Sequence, residues 1–141
     1  MKKLNLTIKD VPYAAEEALN RLRVNIKFCG KNTKKIVITS SIPNEGKSTV
    51  SLNLALSLAD SGKKVLLIDA DLRKSVLLGR TEVDQEIKGL SHLLSHQETI
   101  ENVIYATNIP RFNIIYAGTV PPNPAELLGA EYFKRVLAAV K

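Results

Sequence analysis

The sequence predicts an α/β fold, a mainly parallel sheet flanked by helices, formed as a single domain over residues 1–141. Three observations point there. Two short continuous apolar runs, Ile36-Val37-Ile38 and Val65-Leu66-Leu67-Ile68, have the pattern of strands covered on both faces. Between them, residues 47–60 are apolar on nearly every side, as a helix packed inside a protein must be. Each apolar run ends in polar residues, Thr39-Ser40 and Asp69-Ala70-Asp71. Strand, helix and strand in so short a span make a βαβ unit with a right-handed crossover.

The other elements follow in order. Pro12 suits the first turn of a helix, and Leu19, Leu22 and Ile26 recur at helical spacing, so a first helix is expected from Tyr13 to Phe28. Gly30 then provides a stop. Gly62 ends the buried helix. Residues 74–88 read as polar and irregular, and Leu90, Leu93 and Leu94 form a short helix after Gly89. Ile100, Val103 and Ile104 form another, and residues 112–116 a third strand. Pro124 opens a helix holding Leu127 and Leu128, and a last helix spans about residues 132–140 with Phe133, Val136 and Leu137 on one face.

A chain of 141 residues buries about two thirds of its unfolded surface, and 45% apolar with 24% charged residues describes an ordered, soluble domain. No apolar run approaches the length that crosses a bilayer, and the N-terminus lacks the apolar stretch of a signal peptide. Cys29 stands alone, which excludes a disulfide framework or cysteine metal site within the chain and fits a reducing, cytoplasmic location. The net charge of +6 is spread along the chain with no aromatic residues interleaved in a basic run, so no nucleic-acid partner is expected.

The chemistry sits at the ends of the two apolar runs. Gly46-Lys47-Ser48 matches the end of a phosphate-binding loop, although Ser41 stands where the first glycine of that loop usually lies. Gly46 lets the backbone approach phosphates, and the N–H groups at the helix start point toward them. Lys47 offers a charge to the β- and γ-phosphates of ATP or GTP, and the Ser48 hydroxyl can ligate Mg2+. The candidate nucleotide contacts are therefore Asn44, Glu45, Gly46, Lys47, Ser48 and Thr49. Asp69 and Asp71 follow a buried strand, where open α/β sheets place ligands, and in an extended chain they share a face. One can organise magnesium, directly or through water, and one can accept a hydroxyl proton. Arg73 either stabilises phosphate charge or pairs with Asp71. The candidate catalytic set is Lys47, Asp69, Asp71 and Arg73; the candidate metal set is Ser48, Asp69 and Asp71.

These segments, with Gly118-Thr119-Val120-Pro121-Pro122-Asn123-Pro124-Ala125-Glu126-Leu127-Leu128 downstream, resemble the bacterial protein-tyrosine kinases of capsule and exopolysaccharide biosynthesis. That family carries a Walker A loop without the first glycine, an Asp-x-Asp-x-Arg "Walker A prime" motif and a Pro-Asn-Pro segment. The resemblance spans about residues 11–140. It implies a P-loop NTPase fold of the deviant Walker A class and ATP-dependent phosphorylation of tyrosine hydroxyls, including autophosphorylation. It also implies Lys47 and Thr49 on phosphates, Ser48 on magnesium, and Asp69 and Asp71 as metal ligand and base. A membrane-anchored activator protein would recruit the cytoplasmic kinase to the membrane.

The resemblance further implies that the fold is incomplete here. The family's Walker B strand follows the helix that ends near Val140, and its tyrosine-rich tail lies beyond. An unpaired apolar strand edge would then favour association or low stability. Tyr13, Tyr105, Tyr116 and Tyr132 are scattered and read as packing residues. Of the family's ring-forming Glu and two Arg on the first helix, Glu17 and Arg23 are present while Asn20 replaces the middle Arg, so a homo-oligomer would form through Glu17 and Arg23. A nucleotide-binding fragment or regulatory module without transfer is the alternative. A partitioning ATPase is a further one, but Ile42 stands where that class has its signature lysine.

Overall fold

In the computed structural model, which describes residues 2–6, 13–28, 34–38, 47–72 and 86–140, a four-stranded sheet carries helices on its two faces. Strands β1 (Lys2–Leu4), β2 (Val65–Ile68), β3 (Tyr105–Thr107) and β4 (Phe112–Ile115) lie in the order β1-β3-β4-β2. β1 runs parallel to β3 and β2 parallel to β4, whereas β3 and β4 form an antiparallel hairpin. The sheet is thus mainly parallel, as expected, with one antiparallel pairing at its middle.

Period-two alternation along β4 builds both halves of the core. Phe112, Ile114 and Tyr116 point to one face, where they meet Leu52, Ala55 and Ala59 of helix α2 (Lys47–Asp60), with Leu4, Leu6 and Tyr105. Ile115 and Ala117 point to the other, against Leu72, Leu90, Leu93, Leu94, Val103 and Val136. Apart from Leu72, which follows β2, these belong to short helices α3 (Leu90–Leu94) and α4 (Ile100–Val103) and to the last helix, α6 (Glu131–Ala139). Helix α5 (Pro124–Gly129), with Pro124 in its first turn, adds Leu127 and Leu128 at the margin. β2 repeats the alternation, Val65 and Leu67 to the first cluster, Leu66 and Ile68 to the second.

Helix α1 (Tyr13–Phe28) has the expected bounds and packs on α2. Its inner stripe is Leu19, Arg23 and Ile26, with Arg23 Nη1 donating to the Ser57 carbonyl at 3.5 Å. Leu22, expected on that stripe, is exposed because it sits about 60° around the helix from Leu19. The reading of Tyr105 and Tyr116 as packing residues holds. Both are buried, their rings meet edge to face at 6.5 Å, and the Tyr105 hydroxyl accepts the Lys88 N–H at 3.0 Å.

One predicted element is corrected. Residues 34–38 form no strand, and Ile36 and Val37 are 44% and 87% exposed. A parallel strand is buried by its neighbours, and this run has no ladder partner among the described residues. β2 pairs with β4 alone among the described residues, and its four residues are half-buried while packing against the clusters on both faces. The expected βαβ unit around α2 is therefore absent among the described residues. Two strands escaped the sequence reading, β1 and β3. β1 is held through its ladder to β3 and by the Asn108 side chain, whose Oδ1 accepts the Leu6 N–H at 2.8 Å while its Nδ2 donates to the Leu6 carbonyl at 3.3 Å.

The turn from α2 into β2 fixes their relative direction. Gly62 has φ +100°, its N–H donates to Ala59 O at 3.1 Å, and Lys63 N–H donates to Leu58 O at 3.2 Å. That pair of bonds is the Schellman closure, and it requires a residue tolerant of the left-handed region. From the hairpin loop, Arg111 Nε donates to Ala59 O at 2.9 Å and the Arg111 carbonyl accepts Val65 N–H at 2.8 Å. We predict that Gly62→Ala lowers stability by about 1–2 kcal/mol in chemical denaturation, since nothing crowds the site and only backbone strain acts. An unchanged midpoint would show that the turn has another conformation.

Candidate active site

Because α2 turns back into β2 through four residues and packs along it, the two elements run in opposite directions. The first turn of α2 therefore lies at the sheet end where β2 finishes. Lys47 is the first residue of that helix, and no acidic residue occupies its first turn. The opening N–H groups of any α-helix lack intrahelical acceptors and carry its positive dipole end, a suitable place for phosphate. Lys47, Ser48 and Thr49 are described as helix, and their side chains lie outside the description. Asn44, Glu45, Gly46 and Arg73 also lie outside the described residues.

Asp69 and Asp71 are described, and both are half-buried at the carboxyl end of β2. Asp69 N–H donates to Ile115 O at 2.9 Å, extending the β2–β4 ladder by one residue. The chain then turns. Asp69 Oδ1 accepts the Asp71 N–H at 3.0 Å, and Leu72 N–H donates to Ala70 O at 3.0 Å. A short carboxylate readily takes up a nearby backbone N–H in this way. Leu72, 3% exposed, then inserts into the second core cluster. The carboxylates are thus strung between a ladder bond and a buried leucine, three residues apart.

Two carboxylates of hard oxygen donors suit Mg2+, which takes one or two such ligands and keeps several waters. Among the described residues no three His, Cys, Asp or Glu side chains gather as a metal site. No helix of the described residues is long and apolar enough to cross a membrane.

A second constellation, missed in the sequence, stands beside this one. Past β4, the carbonyls of Tyr116 and Ala117 accept the N–H groups of Leu90 and Ser91 at 2.7 and 2.9 Å. Gly89 makes this approach possible, for a Cβ there would overlap Tyr116 O and Gly118 N. His92 Nδ1 accepts the Gly89 N–H at 2.9 Å, and its Nε2 faces Thr119 Oγ1 at 3.4 Å. The signal available beforehand was a histidine on an apolar helix, Leu90-Ser91-His92-Leu93-Leu94, three residues after a glycine.

A family model described as an AAA domain matches residues 33–136. The tyrosine-protein kinase CpsD of Streptococcus agalactiae is 48% identical over 126 residues, 89% of this chain and 55% of that protein. The tyrosine-protein kinase YwqD of Bacillus subtilis (strain 168) is 39% identical over 122 residues, 85% of this chain and 51% of that protein. Among solved structures, the BceF tyrosine kinase domain superposes with a TM-score of 0.80 at 41% identity, over 89% of this chain and 50% of that one. The kinase domain of Escherichia coli tyrosine kinase ETK does so with a TM-score of 0.78 at 34% identity, over 95% of this chain and 56% of that one. The chain spans about half the length of the curated relatives it matches. Sequence and fold together make the chain a member of the AAA-domain family, within its branch of bacterial tyrosine-protein kinases.

Proposed function

We propose that these residues bind Mg·ATP and serve an autophosphorylating protein-tyrosine kinase of capsular or exopolysaccharide biosynthesis. The observation that carries this reading is the shared sheet end: the start of α2, bearing Lys47 and Ser48, lies where β2 delivers Asp69 and Asp71. Lys47, with Asn44 through Thr49, holds the phosphates; Ser48, Asp69 and Asp71 hold the metal; Arg73 offsets charge on the transferring group. The metal, when bound, neutralises charge on the β- and γ-phosphate oxygens. In the transfer, the bond from the γ-phosphorus to the bridging oxygen of ADP breaks and a bond to the tyrosine Oη forms. The phenolic proton passes to an aspartate, and ADP leaves.

The partners we assign are tyrosine-bearing protein substrates, other copies meeting through Glu17 and Arg23, and a membrane-anchored activator that recruits the cytoplasmic chain. We further propose that residues 1–141 act as one domain and supply the N-terminal, nucleotide-binding part of the family's kinase domain, the Walker B carboxylate being supplied from outside them. A second reading is a module that binds nucleotide without transferring phosphate.

Incubation with Mg·ATP and an added tyrosine substrate separates the two. Phosphotyrosine that disappears in Lys47→Ala supports transfer; nucleotide binding with no phosphotyrosine supports the module. In either case Lys47→Ala is expected to weaken ATP about 10- to 100-fold, the loss of a charge-assisted contact. Calorimetry showing equal affinity would overturn the phosphate role. Asp69→Asn keeps an acceptor for the Asp71 N–H, so its stability should stay within about 0.5 kcal/mol while the magnesium-dependent part of ATP affinity falls. Asp69→Ala loses that bond as well, and its unfolding should come about 1 kcal/mol earlier.

A further inference from the structure

A cavity of ≈ 300 Å³ opens beside the end of β4. Its polar lining is three hydroxyls (Ser91, Ser95, Thr119), two carboxamides (Gln97, Asn123) and the His92 imidazole. Pro121 and Pro122 add saturated C–H surface. None of these residues belongs to the set assigned above to phosphate or metal. Ser91 and His92 are 4% and 7% exposed, so the floor is built into the core. Gly118 makes room for it: at φ +83°, a Cβ there would lie 2.6 Å from Ser91 Oγ and 2.8 Å from His92 Nδ1. Ser91 Oγ is buried with no hydrogen-bond partner among the described residues, a costly arrangement that calls for an explanation. His92 Nδ1 accepts the Gly89 N–H, which places the neutral ring's proton on Nε2, 3.4 Å from Thr119 Oγ1.

The lining selects first by charge and then by shape. No Lys, Arg, Asp or Glu is among the described lining residues, so a phosphate, carboxylate or ammonium group would be buried there without a counter-charge. No Phe, Tyr or Trp is among them either, so a planar aromatic ring finds no face to stack on. What the cavity offers is hydroxyls and carboxamides, groups that both donate and accept, beside a saturated wall. A pyranose is the complement of that set. Its ring is saturated, with C–H faces, and its rim carries several neutral hydroxyls that donate and accept in turn. A polypeptide backbone brings only one N–H and one C=O per residue, too sparse a match for six polar groups in one cavity. The volume stands at the lower end for small-molecule sites and suits one ring.

We propose that this cavity binds one neutral hexopyranose unit of a saccharide, with Thr119, Gln97 and His92 Nε2 on its hydroxyls and the two prolines against its C–H face. The probes are the methyl glycosides of glucose, galactose, mannose and N-acetylglucosamine. Each is titrated into the whole chain up to about 50 mM, enough to saturate a site of millimolar Kd, while the imidazole C–H resonances are followed. Cyclohexanol, a saturated ring with a single hydroxyl, and inorganic phosphate are the controls. The chain has two histidines, and exposed His96, stacked on Tyr132, serves as the internal reference. At least one glycoside should shift His92 saturably and leave His96 in place. Its Kd should rise about three- to tenfold in Thr119→Val and in Gln97→Ala, each the worth of one hydrogen bond. Both side chains are exposed, so neither change disturbs the core.

Four glycosides that leave His92 unmoved overturn the proposal. So does a shift shared equally by His96, cyclohexanol bound as tightly as the best glycoside, phosphate bound more tightly, or a Kd unchanged in both variants. The kinase reading stands apart from these outcomes, because its test is the Lys47→Ala comparison.

Discussion

Strand β4 must bury its alternate side chains in two separate cores at once, and the rest of the fold is arranged around that requirement. Phe112, Ile114 and Tyr116 need a cover on one face, and α2 supplies it. Ile115 and Ala117 need a cover on the other, and the short helices after residue 89 supply that. Each fully buried side chain of this size is worth about 1.5–3 kcal/mol, so neither face can be left open in a domain of ordinary stability. With both faces closed, the backbone of β4 is left with hydrogen-bonding groups that only its sheet neighbours can satisfy. β3 takes one edge and β2 the other.

The same backbone continues past the sheet and positions the chemistry. Ile115 O takes the Asp69 N–H, and the next two carbonyls take the N–H groups of Leu90 and Ser91. Three consecutive acceptors on one strand thus hold the carboxylate segment on one side and the start of α3 on the other. Glycine at 89 is required because two backbones meet there with no room for a side chain.

What was legible in the sequence is what depends on local rules. Gly62 as a helix end, Pro124 as a helix start and the apolar spacing of residues 90–94 each carry their physics within a few residues, and each holds in the structure. Residues 36–38 have strand composition and form no strand, because pairing depends on a neighbour that composition does not contain. β1 and β3 failed in the opposite sense. Three residues each are too few to show alternation, yet their ladder joins positions more than a hundred residues apart, such as Leu4 and Thr107. At the site, the Asp69 and Asp71 pair was evident, and the bond from the Asp71 N–H to Asp69 Oδ1 and the burial of Leu72 were not, because both depend on how the chain packs beyond the strand.

In the proposed function Leu72 therefore has a place beyond the core. A carboxylate proposed to meet a metal and phosphate repeatedly gains from being ordered beforehand, since fixing even one residue's backbone costs about 1–2 kcal/mol. Here that ordering is completed in folding: the ladder bond of Asp69 fixes one end, the burial of Leu72 fixes the other, and the intervening N–H of Asp71 is taken by Asp69 itself. Shortening Leu72 to alanine would remove the second anchor. Its cost in binding would come through the freedom it returns to two aspartates, an effect separable from stability only because the first anchor, on β4, remains.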